Sequence, residues 1–174
     1  MKLKLTTLIL SVILSTSAFA HGNEKHDGAM DMAMMKPGRD ASKAVLTVAP
    51  AAKDAVATVE RFSDALASGD MTKLAAELDA NVLILESGSA QRTAAEYLGE
   101  HAKSDAAFMK TAHVMLMRRT AVVDGNLAYV ASESEIHTMK GEAMLAISST
   151  ETMVLKRIGA AWKIVHIHWS SRKK

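Results

Sequence analysis

The strongest constraint on the fold lies in the second half of the chain. Four alternating, β-branched stretches follow one another there, His113 to Val123, Leu127 to Thr138, Ala143 to Ile158 and Trp162 to Ser170. Asp124-Gly125-Asn126, Lys140-Gly141 and Gly159-Ala160 separate them, short Gly-bearing segments suited to hairpin turns. Four strands on tight turns predict an antiparallel meander. The first half keeps a different period. Val56, Val59, Phe62, Ser63 and Leu66 recur at helical spacing, with Pro50 at the start and Gly69 where a C-cap belongs. Asp70 is placed to cap a second, shorter helix through Leu74 and Leu78. Val82 to Leu85 suits a buried strand, and Gly88-Ser89 turns the chain. Thr93 with Glu96 is a capping-box pattern for a third helix carrying Tyr97, Leu98, His101, Phe108 and Met109. Helices segregated ahead of such a sheet imply an α+β fold in which the sheet curls around the helices.

This order, with Phe62-Ser63-Asp64-Ala65-Leu66-Ala67-Ser68-Gly69-Asp70 early and Trp162-Lys163-Ile164-Val165-His166-Ile167-His168-Trp169-Ser170 at the end, resembles the nuclear transport factor 2-like superfamily. Within it the chain is most similar to the SnoaL-like and calcium-calmodulin kinase II association-domain group, over about residues 50–172. The resemblance implies a cone of three N-terminal helices packed on a curved antiparallel sheet, with a pocket between helices and concave face. It also implies sheet-to-sheet association as a homodimer. Isomerases, cyclases, dehydratases and assembly modules share this fold, so the fold selects no reaction. A steroid-isomerase site would need an acidic base and an oxyanion donor pair, and only Tyr97 and Tyr129 supply phenols.

The N-terminus reads as a cleavable leader over residues 1–20. Lys2 and Lys4 are basic, Leu8 to Leu14 is apolar apart from Ser11, and Ala18-Phe19-Ala20 fits small-residue cleavage. The apolar run is shorter than the roughly 20 residues of a spanning helix. The expected location is periplasmic or secreted, with no membrane span after cleavage. The formal charge of +2 equals the two leader lysines, so the mature chain is balanced and shows no basic face for nucleic acid. With 0 Cys, disulfides and thiolate zinc sites are excluded.

Residues 21–49 read as a flexible tail punctuated by Gly22, Gly28, Pro37 and Gly38, ahead of a domain over residues 50–174. The tail carries His21, His26, Met30, Met32, Met34 and Met35, imidazoles and thioethers with no core to fill. Soft sulfur with imidazole nitrogen suits copper: Met and His serve Cu(I), while His with carboxylates suits Cu(II). A plain polar linker also fits this composition. Met109, Met115, Met117, Met139, Met144 and Met153 of the domain are expected to fill its core.

Several side chains could line a pocket. His166 and His168 lie two apart on the last strand with Ser170 next, on the same alternating face as Trp162 and Ile164. Glu133, Glu135 and His137 share one face of the strand over residues 127–138, a pocket wall or a solvated row. His101 and Asp105 form an i,i+4 pair, and Glu86 ends the buried strand ahead of Gly88. The pair could orient an imidazole for base or metal chemistry, or be a surface ion pair. Two functions follow: an exported metal or small-ligand binder handling copper through its tail and, as a second candidate, its pocket histidines; or an enzyme using His166 or His168 as base and Glu86, Glu135 or Asp105 as orienting acid.

Overall fold

The helical period around Phe62 forms α1, Lys53–Ser68, entered through a 3-10 turn at Pro50–Ala52 in the computed structural model, which describes residues 36–141 and 143–174. Ala55, Thr58, Val59, Phe62, Ala65 and Leu66 make its buried stripe. Gly69 ends it in the left-handed region, φ 74°, returning its N–H to the carbonyls of Ala65 and Leu66. Asp70 then accepts the Lys73 N–H at 3.0 Å and starts α2, Met71–Glu77.

The apolar run after it becomes β3, Leu78–Glu86, followed by β4, Ser89–Gln91. Thr93 accepts the Glu96 N–H at 3.1 Å, and the Glu96 carboxylate accepts the Arg92 N–H at 2.7 Å. The helix begun there is not continuous. It divides at Glu100 (φ −133°, ψ −45°) into α3, Ala94–Gly99, and α4, His101–Met109. Gly99 is where a continuous helix is weakest. The described residues thus hold four α-helices where three were expected.

The meander forms as β5, His113–Asp124, β6, Leu127–Lys140, β7, Ala143–Ile158, and β8, Ala161–Lys173. The sheet runs beyond it in the order β1-β5-β6-β7-β8-β3-β4, with β2 also on β5. It is mixed rather than antiparallel, because β3 runs parallel to β8, and β1 (Gly38–Asp40) and β2 (Val45–Val48) parallel to β5. Residues 38–40 and 45–48, expected inside the tail, are therefore edge strands. Most of their side chains are exposed, although Val48 packs against the core, so backbone pairing holds them in the main and no apolar period marks them in sequence.

The core is the α1 stripe packed on Leu78, Val82, Ile84, Val130, Met153, Leu155, Trp162, Ile164 and Ile167. Each large side chain buried there contributes about 1.5–3 kcal/mol of transfer free energy. A bulge at Val165 decides which part of β8 joins it. The β7 register steps from Leu155↔Ile164 to Val154↔His166, leaving Val165 unpaired. One extra residue reverses the alternation, so Trp162 and Ile164 face the core, and Ile167 does so again after the bulge. No helix among the described residues is long and apolar enough to cross a membrane.

Candidate metal centre

The inward row of β3 runs Val82, Ile84, Glu86, so alternation that buries two aliphatics carries a carboxylate to the same face. Glu86 pairs in register with Trp169 of β8, which pairs with Glu151, then Ser132, then Arg119. This row bounds the core with polar groups. The Trp169 indole donates to Glu151 Oε2 at 2.9 Å. The buried Arg119 donates through Nε to Ser132 Oγ at 3.2 Å and through NH1 to Glu60 Oε1 at 3.0 Å. Desolvation lowers the Arg119 pKa.

Two helices complete the site above Glu86. His101, at the start of α4, places Nε2 3.2 Å from Glu86 Oε2 and 3.4 Å from Asp105 Oδ1, one turn later on the same helix. Tyr97 of α3 is fully buried. Its hydroxyl donates to Asp105 Oδ2 at 2.9 Å. The ring meets His101 edge-on, with centroids 5.8 Å apart, and Trp169 at 6.1 Å. Phe62 stacks on Trp169 with centroids 6.3 Å apart, tying the wall to α1.

One N–H cannot point at two acceptors, yet both carboxylates converge on the same nitrogen. Such an imidazole holds its proton strongly. The Glu86 carboxylate as hydrogen-bond acceptor raises the His101 pKa most, burial opposes it, and Asp105 adds to the rise. Burial pushes the Asp105 carboxyl up, partly offset by His101 and by the Tyr97 hydroxyl. The Tyr97 phenol is pushed far up, first by desolvation and then by Asp105, so it is a donor at any ordinary pH.

The same convergence fits a metal ion. One donor atom each from Glu86, His101 and Asp105 lie within 4.8 Å of one another. A tetrahedral ion with donors at about 2.1 Å sets neighbouring donors about 3.4 Å apart, close to the 3.2 and 3.4 Å seen here. A cation would replace the shared proton, with the Tyr97 hydroxyl fixing the second Asp105 oxygen. The site therefore offers three candidate ligands from two elements, with the Tyr97 hydroxyl as an outer partner.

Other residues singled out in the sequence go elsewhere. His166, His168 and Ser170 take the sheet face opposite Trp162, Ile164 and Ile167, because of the Val165 bulge. His166 Nδ1 donates to the Leu83 carbonyl at 2.9 Å, and His168 and Ser170 are exposed. Neither histidine joins the Glu86 cluster, which removes the arrangement in which one of them acts as base beside Glu86 or Asp105. Glu135 and His137 are on that outer face too, with Glu135 contacting Lys174. His21, His26, Met30, Met32, Met34 and Met35 lie outside the described residues. Tyr97, Trp169, Glu151 and Arg119 were not anticipated as site residues. The signal for Tyr97 was its position four before His101 and eight before Asp105, readable as packing alone.

Two shallow hollows among the described residues, about 140 and 200 Å3, are lined chiefly by outer-face residues such as Val122, Tyr129, Thr120 and Thr152. Both are smaller than the roughly 300–1,000 Å3 of small-molecule sites.

Comparison with known proteins fits this architecture. The family model described as SnoaL-like domain matches residues 56–172. Among solved structures, a candidate ketosteroid isomerase from Shewanella frigidimarina is 28% identical, with TM-score 0.65, and the match covers 71% of this chain and 99% of that one. A candidate calcium/calmodulin-dependent protein kinase II association domain from Xanthomonas campestris is 20% identical, with TM-score 0.59, covering 75% and 94%. The association domain of C. elegans CaMKII is 16% identical, with TM-score 0.56, covering 68% and 93%. The latter two show likeness of fold alone. A search of curated proteins found no match.

Proposed function

The chain belongs to the SnoaL-like domain family, and from that premise we propose that it is an exported metal-binding member, taking a divalent ion, copper first, at Glu86, His101 and Asp105. The observation that carries this reading is the meeting of two carboxylates on one imidazole nitrogen at 3.2 and 3.4 Å. One imidazole with two carboxylates suits Cu(II) or Zn(II). The Met/His tail, from His21 through Met35, adds donors suited to Cu(I). Together they serve metal tolerance or delivery. Export rests on the leader pattern.

A sheet-to-sheet homodimer belongs to the same reading. It is supported by the outer-face row Val122–Tyr129–Val154–His166–Leu83, in register across five strands and exposing Val122, Tyr129 and Leu83.

A second reading keeps the cluster as an acid–base site for a small apolar molecule, with His101 in place of the outer-face histidines. It is favoured by the Tyr97–Asp105 hydrogen bond and by the candidate isomerase among the structural relatives.

Calorimetric titration of the mature chain with Cu(II) and Zn(II), beside Glu86→Gln, separates the two. The metal reading expects one interior equivalent that Glu86→Gln weakens by about tenfold or more. Equal affinity in both proteins would discard it.

A further inference from the structure

A second group of donors stands at the far end of the outer sheet face. His113 of β5 and His137 of β6 are directly opposed, and two residues on, Met139 of β6 opposes Met144 of β7. The register is unbroken over these pairs, so all four side chains share one face. Directly opposed Cβ atoms stand about 4.5–5.5 Å apart, and i,i+2 neighbours on a strand about 7 Å. His137 and Met139 are central, flanked by His113 on one side and Met144 on the other.

The state of each donor is unusual. Met139 and Met144 were expected to fill the core, yet they are 49% and 44% exposed. His137 is only 6% exposed, and among the described residues neither ring nitrogen makes an aligned hydrogen bond. Its Nε2 lies 2.9 Å from Glu135 Oε1, outside hydrogen-bond alignment. The buried Nδ1 makes no hydrogen bond to any described residue. His113 carries the mirror arrangement. Its Nδ1 is 2.9 Å from the Lys36 carbonyl, which can only accept, so in the neutral ring Nδ1 donates and Nε2 carries the lone pair. In both rings an oxygen acceptor stands beside one nitrogen, at 2.9 Å in each case, and the other nitrogen is the candidate ligand.

We propose that His113, His137, Met139 and Met144 form a second, soft-metal site for a monovalent d10 cation, Cu(I) or Ag(I). Two thioethers with two imidazoles select such an ion over hard divalent ions. Unbranched methionines can swing onto it. Lys36, whose carbonyl holds His113, follows Met35 directly in the sequence. This rests on the reading of the chain as a metal binder, but it concerns a different ion class at a different face from the Glu86 centre.

The test uses the mature full chain labelled at methionine methyl groups and titrated with Ag(I), which is redox-inert. Met139 and Met144 methyl resonances, assigned through Met139→Leu and Met144→Leu, are expected to shift with the first equivalents. Met139→Leu/Met144→Leu, an exposed and conservative pair, should lower the Ag(I) affinity of this site tenfold or more at unchanged melting temperature. His113→Asn should lower it similarly. If only the tail methionines shift and the double variant binds as the parent does, the proposal is overturned while the Glu86 centre stands. Failure of Glu86→Gln to alter Cu(II) binding, with Met139 and Met144 shifting in Ag(I), would do the reverse.

Discussion

His101 and the His166–His168 pair carry the same chemistry and meet opposite fates. His101 lies between two carboxylates over an aromatic wall, whereas His166 and His168 face outward, one bonded to a carbonyl and the other in solvent. The helical pair is placed by i,i+4 geometry, which one turn of α4 enforces. The strand pair depends on parity along β8, which the single unpaired residue Val165 reverses. Local spacing is therefore a stronger guide on a helix than on a long strand, because one bulge relocates every side chain beyond it.

The largest effect that would test this contrast is on stability. Ile167→Ala removes a fully buried β8 side chain and should cost about 2–5 kcal/mol in denaturant unfolding. His168→Ala beside it should stay within about 0.5 kcal/mol. Comparable losses at both positions would mean that the bulge does not set the facing of β8.

Tyr97→Phe sharpens the inner side of the comparison. Asp105 would lose its hydroxyl partner in a half-buried site, at a cost of about 1–3 kcal/mol in folding. Metal affinity should fall about 10-fold or more, the usual loss for an outer partner. Unchanged affinity would detach Tyr97 from the site.

The effect of His101 protonation on stability is the smallest, and it is read through pH dependence. Because the His101 pKa is raised, its protonated form stabilises the fold at pH below the unfolded value, and this contribution is lost as pH rises through the folded value. A metal must displace that proton. Affinity should therefore climb about tenfold per pH unit below the raised pKa and level off above it. A profile flat from pH 5.5 to 8 would contradict proton displacement at His101.

Much of the fold was legible in the sequence. The α1 stripe, the Gly69 and Asp70 caps, the Thr93–Glu96 box and the four meander strands each rest on periodicity or on a local hydrogen bond. Legibility failed where backbone pairing alone decides, as in β1 and β2, or where one residue breaks an element, as at Glu100 and Val165. The candidate site was half legible. Glu86, His101 and Asp105 were singled out separately, and a β3–α4 contact joins them that no local pattern encodes. Tyr97 read as an apolar helix position because its hydroxyl partner stands across the break between α3 and α4.

The most direct measurement of the central claim is imidazole 15N NMR of the mature chain through one interior equivalent of Zn(II), a diamagnetic ion suited to one imidazole and two carboxylates. His101 Nε2 is expected to move to a metal-bound shift while His166 and His168 keep theirs. Movement of His166 or His168 with His101 unchanged would contradict it.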